Sequence, residues 1–126
     1  MKALGLLIVG GLLATGSLIA ADEVDGKWEC GVTAADGVTR PMIATLKSDG
    51  MALTGTVNGM NGQPDIPISE AMNHGKEVMW SAKRPVQNEV VQFNYRGAIT
   101  GAEMKIDIVR ADGKGAPMTC VAKKAK

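Results

Sequence analysis

Aromatic residues are scarce in this sequence: two Trp, one Tyr and one Phe in 126 residues. So few rings leave a core short of aromatics, filled instead by flexible side chains such as methionine. His74 is the only histidine. Alone, and far in sequence from either cysteine, it assembles neither a zinc site nor a Ser-His-Asp or Cys-His arrangement. Cysteine is limited to Cys30 and Cys120, with no close pair to hold a metal. An excess of either sign of charge is missing as well. Fourteen basic residues face thirteen acidic ones, and Lys2 is the only charge among the first 21 residues. Setting Lys2 aside leaves thirteen against thirteen, interleaved along the chain. No basic stripe follows a phosphate backbone, so nucleic acid is not an expected partner. Lys123, Lys124 and Lys126 read as a solvated terminus. A Gly-rich phosphate loop opening a helix and a nucleotide fingerprint are both lacking. No cofactor or metal is implied, and an enzyme is the least supported class.

What is present begins with a leader. Lys2 precedes an uncharged run, Ala3 to Ala21, that is most apolar from Leu4 to Leu13 and ends in Ala20-Ala21 before Asp22-Glu23. That layout predicts a signal peptide over residues 1–21 and export to the periplasm or the medium. Cleavage after Ala20 or Ala21 would leave Leu18 or Ile19 where a small residue is preferred. The run is also just long enough to span a bilayer, so a retained anchor is the alternative. After cleavage no membrane contact is expected. Residues 22–126 are then one small domain.

That domain alternates with period two between Gly, Asp and Asn turns. Inward positions are Trp28, Cys30 and Val32; Met42, Ala44 and Leu46; Leu53, Gly55 and Val57. Later come Val78, Trp80 and Ala82; Val91, Phe93 and Tyr95; Met104, Ile106 and Ile108; Met118, Cys120 and Ala122. Glu29 and Glu77 fall on outward positions. Asp65 to Glu70 is a weaker strand, because Pro64 and Pro67 lack donors. Ser48-Asp49-Gly50 is the tightest hairpin signal. Turns are also expected at Asn73-His74-Gly75 and Gly97 to Gly101, and a loop at Arg84 to Glu89.

Eight short strands with hairpin connections and no helical periodicity predict an all-β fold, either a sandwich or a barrel. The cysteines discriminate. An even count in an exported chain reads as a disulfide. A closed meander pairs its first strand with its last, which is where Cys30 and Cys120 fall, both on inward positions. An immunoglobulin-like sandwich would place a Trp between cysteines at a shorter spacing. The expectation is an eight-stranded antiparallel up-and-down barrel sealed by Cys30–Cys120.

Gly26-Lys27-Trp28, followed by Asp49-Gly50-Met51-Ala52-Leu53-Thr54-Gly55-Thr56-Val57, resembles the calycin barrels, which include lipocalins, and especially their avidin-like branch. It is closer still to small uncharacterised exported bacterial proteins with this Leu-Thr-Gly-Thr-Val hairpin. The resemblance implies the barrel, with Trp28 plugging one end. Biotin binding does not carry over, since the ligand contacts cannot be matched position by position.

Two functional readings follow, beside a structural or surface-associated role with no small ligand that the balanced charge leaves open. The first is a non-enzymatic binding protein holding a small apolar or amphipathic ligand among Met42, Leu53, Trp80, Phe93, Tyr95, Met104 and Ile106. Inward Ala44, Gly55, Ala82 and Ala122 would leave the space, and methionine suits an irregular cavity. The second is a module that binds an exported partner protein, such as a protease or lysozyme inhibitor. It would use the Pro-rich segment Gln63 to Ile68 and the Arg84 to Glu89 loop.

Overall fold

The computed structural model describes residues 23–34, 36–59 and 62–125. The expected signal segment, residues 1–21, lies outside them, as does part of the Gly59 to Gly62 turn. The described residues form strands β1 (Gly26–Thr33), β2 (Thr39–Asp49), β3 (Ala52–Val57), β4 (Ile66–Pro67), β5 (Ser69–Asn73), β6 (Glu77–Val86), β7 (Glu89–Thr100), β8 (Glu103–Arg110) and β9 (Met118–Lys124). All pair antiparallel. β1 pairs with both β2 and β9, and the order runs on through β8, β7, β6, β5 and β3 until β3 meets β2. The result is a closed eight-stranded barrel whose fourth stave is split into β4 and β5. The split follows from the sequence. Pro67 cannot donate, and the register slips between Ser69 and Met72, where Glu70 takes a positive φ of 49°.

Three expectations about strand ends need correction. The loop expected at Arg84 to Glu89 is a continuation of β6 and β7: Pro85 lies opposite Val90 and Val86 opposite Glu89, joined by Gln87-Asn88 alone. Within Gly97 to Gly101, where the next turn is expected, Gly97 to Thr100 continue β7 and only Gly101 turns, with Ala102, into β8. Gly97 looked like a turn residue, but its backbone lies in the ladder opposite Val78 and Ile106. A side chain there would collide with the Met104 thioether and Val78. The weak strand Asp65 to Glu70 becomes two, ending at Asn73.

Alternation delivers the core as expected. Trp28, Met42, Ala44, Leu46, Leu53, Val57, Val78, Trp80, Ala82, Phe93, Tyr95, Met104, Ile106, Ile108 and Ala122 are buried in one cluster, joined by Val24 and Ile99. One barrel end is shut. Trp28 is wholly buried there, and its Nε1 donates to the Val24 carbonyl at 2.9 Å. Burying an indole removes roughly 200 Å² from water, worth about 5 kcal/mol at 25 cal/mol/Å². The strap at Glu23–Asp25 is tied on both sides. Lys124 Nζ donates to the Glu23 carbonyl at 3.0 Å and sits 5.2 Å from the Trp28 ring centroid. Asp25 Oδ1 accepts from the Ser48 amide at 2.6 Å and from its hydroxyl at 2.8 Å.

The seam between β1 and β9 changes character along its length. Near the shut end it is hydrogen-bonded, with Lys124 opposite Trp28 and Lys123 opposite Glu29. Towards the other end the Cys30–Cys120 disulfide takes over, with Cα atoms 6.0 Å apart.

Candidate functional site

The other end of the barrel is open. Six strands bring apolar side chains to it: Val32 from β1, Met42 from β2, Val86 from β6, Phe93 from β7, Ile108 from β8 and Met118 from β9. They line a cavity of about 460 Å³ together with Tyr95 and Arg84. That volume is within the range of small-molecule sites. Of the seven residues expected to line a pocket, Met42, Phe93 and Tyr95 do so. Leu53, Trp80, Met104 and Ile106 are buried in the core but do not line the mouth cavity. Met104 fills the space above Gly97, so interior glycine does not become a void.

Asp36, Arg40 and Gln87 border the mouth as well, and Arg84 is the charged residue that reaches it from an inward strand position. β6 turns Val78, Trp80 and Ala82 inward, and the same period brings Arg84 to the inner face one step before Val86. Its Nε donates to the Tyr95 hydroxyl at 3.1 Å, and its Nη1 donates to the Asn58 carbonyl at 2.9 Å. Asn58 is itself fixed. Its Oδ1 accepts from the Ile43 amide at 2.8 Å, and its Nδ2 donates to the Pro41 carbonyl at 3.1 Å. Tyr95 is equally fixed, stacked on Trp80 with ring centroids 5.3 Å apart and planes 10° from parallel. Trp80 Nε1 is buried with no acceptor among the described residues. The guanidinium is thus held on two sides by the chain itself.

Two exposed ion pairs flank the opening. Arg40 meets Asp36 at 3.1 Å, and Arg110 meets Asp112 at 2.9 Å. Hydrogen bonds from the Val38 amide and from Arg40 hold the Asp36 carboxyl below its ordinary range. Asp112 is lowered to about 2 by Arg110 and by the Lys114 amide. Arg110 is raised in turn by its bond to Asp112.

No family model matches the chain, and neither curated proteins nor solved structures give a significant match. The site is therefore read from its own geometry.

Two further depressions are present. One, of about 470 Å³, lies between the Gln63–Pro67 segment and Arg84, Pro85 and Gln87, so it shares Arg84 with the mouth. It includes the Pro-rich segment considered for partner binding, but the second loop of that reading is a two-residue hairpin. The other, of about 550 Å³, crosses the outer face and includes outward side chains such as Met79, Ser81, Asn94 and Arg96. Sequence reasoning missed Arg84, Val86, Ile108 and Met118 as cavity residues. Extending the inward series past Ala82 would have found Arg84, because a charged residue on an inward position of a strand signals either a partner or a site. His74 is exposed in the β5–β6 turn, at the shut end.

Proposed function

We propose that this protein is a non-enzymatic binding barrel, exported to an oxidising compartment, that takes a small apolar or amphipathic molecule through its open end. One observation carries the reading. The two barrel ends differ, one filled by Trp28 and Val24, the other hollow and apolar around a pre-positioned Arg84. Met42, Phe93, Tyr95 and Ile108 belong to the buried core, yet space is left beside them, and a hollow of that size contributes nothing to packing. Met42 and Met118 give the wall adaptability. Export is supported by the disulfide, which persists in oxidising surroundings. Among the described residues no helix is long and apolar enough to cross a membrane. Kinship with the calycin barrels is part of the same proposal, and rests on the Gly-Lys-Trp opening and the Leu-Thr-Gly-Thr-Val hairpin together with the closed eight-strand architecture.

The test is titration with a neutral apolar fluorophore such as N-phenyl-1-naphthylamine. Saturable binding is expected, and Met118→Trp, which fills the mouth, should abolish it. Val121→Trp, on the outer face of the same strand, should leave it intact. Binding that survives Met118→Trp undiminished would rule the mouth out.

A further inference from the structure

The chemistry at the mouth goes beyond an apolar hole. We propose that the cavity selects amphiphiles with a single negative charge, a carboxylate or similar oxyanion, whose head group is received by Arg84 and Tyr95. The inference rests on the mouth being the binding site and specifies the class of ligand.

Among the residues that line the cavity, one cation stands without a carboxylate. Arg40 is neutralised by Asp36 and Arg110 by Asp112. Asp36 is the only carboxylate among the described cavity-lining residues, and it is already engaged. Arg84 has no carboxylate partner among the described residues. Its two protein acceptors, the Tyr95 hydroxyl and the Asn58 carbonyl, are neutral. They orient the guanidinium without cancelling its charge. Nη2 donates to no described residue, and the Tyr95 hydroxyl, which accepts from Nε, still has its own proton to give. Two donors with a net positive charge therefore stand beside an apolar wall.

A partly buried cation without a counter-ion is costly to the folded protein. An anionic ligand removes that cost and gains charge-assisted hydrogen bonds, which are stronger than neutral ones and geometrically selective at a guanidinium fork. The expected discrimination between an anionic and a neutral head on the same tail is about 10- to 100-fold, from the usual strength of hydrogen bonds to charged groups. A cationic head would meet Arg84 and be rejected.

Octanoate, octan-1-ol and octylamine share one tail and differ in head. Titrated into the oxidised protein at neutral pH, with tryptophan fluorescence as the readout, they should rank octanoate first by at least ten-fold, octanol second and octylamine last. Trp80 reports on the site because it stacks on Tyr95. Arg84→Gln should bring the octanoate-to-octanol ratio to about one. Arg84→Lys, which keeps the charge but loses the fork, should retain part of it. If octanol binds as well as octanoate to the unaltered protein, anion selection is wrong while the binding mouth stands. If none of the three binds, the mouth itself is wrong. The ranking on the unaltered protein decides the matter even if the Arg84 variants fail to fold.

Discussion

The two ends of this barrel use the same ingredients to opposite effect. At the shut end a cation, Lys124, lies over Trp28 and donates to the Glu23 carbonyl, while the indole donates to Val24. Both polar groups there are engaged by the chain itself. At the open end Arg84 lies against Tyr95 and the Asn58 carbonyl, yet one nitrogen is left unpartnered and the space beyond is hollow. The difference is the strap. Val24 and its neighbours close over Trp28, whereas a cavity remains beside the equally buried Tyr95. A barrel of eight strands is wide enough to be filled by side chains or to hold one small ligand; here it does the first at one end and leaves room for the second at the other.

The sharpest test of that contrast is the seam. Removing the disulfide with Cys30→Ala/Cys120→Ala should lower stability by about 4.5 kcal/mol, the loop-closure value for a 90-residue separation. Its local effect should be lopsided. Amide exchange should accelerate at the Val32 and Met118 end of β1 and β9, and much less at Lys27 and Lys123, where the ladder still holds. Uniform acceleration would mean that the ends are not independent.

Next comes packing. Trp28→Ala should cost about 4 kcal/mol in urea unfolding, as for a large side chain lost from a filled core. Met118→Ala, at the half-buried rim of a cavity that is already open, should cost only about 1 kcal/mol. Equal penalties would show that the mouth is as well packed as the plug.

Most of the barrel was legible in the sequence because period two is a direct image of the pleat. Every inward series from Trp28 to Ala122 lies on the inner side, and the cysteines at the chain's two ends predicted the closing pair. The errors came where residue identity misled about backbone. Pro85 and Gly97 each read as the end of a strand, yet both sit within ladders. Pro85 is tolerated near the β6 end, and Gly97 is needed because Met104 occupies the space of its side chain. The site was half legible. Met42, Phe93 and Tyr95 were found by alternation, whereas Arg84 was lost with the misjudged strand end. How deep along the barrel each inward residue sits depends on register and shear, which a single sequence does not carry.

Hairpins mark the ends too. The two-residue loops at the shut end begin with Gly50 and Gly101, at φ of 66° and 62°, and glycine has no penalty there. The corresponding loop at the open end begins with Gln87 at φ 51°. Gln87→Gly should therefore stabilise by about 0.5 kcal/mol, and Gly50→Ala should destabilise by about 1 kcal/mol. Thermal melts of the two variants read both signs. A loss on Gln87→Gly would imply that the Gln87 side chain makes contacts that outweigh its backbone cost.

The smallest expected effect separates the ends by pH. Asp36 and Asp112 flank the mouth, and both are held below the ordinary carboxylate value of 3.8. A lowered folded-state pKa stabilises in full above the unfolded value and is lost as pH falls through the folded one. For Asp112 the window runs from just above 3.8 down to about 2. Both carboxylates face solvent, so the effect is local and modest. The amides of Val38 and Lys114 donate to these carboxylates at 2.9 Å and are the natural reporters. Their protection factors should fall as pH drops through that window, while those of Ile99 and Met104 at the shut end stay level. Asp112→Asn should flatten the response at Lys114 and leave Val38 unchanged, since the two pairs lie on different loops. Loosening of both ends together on acidification would mean that the rim pairs act on the whole barrel rather than on its mouth.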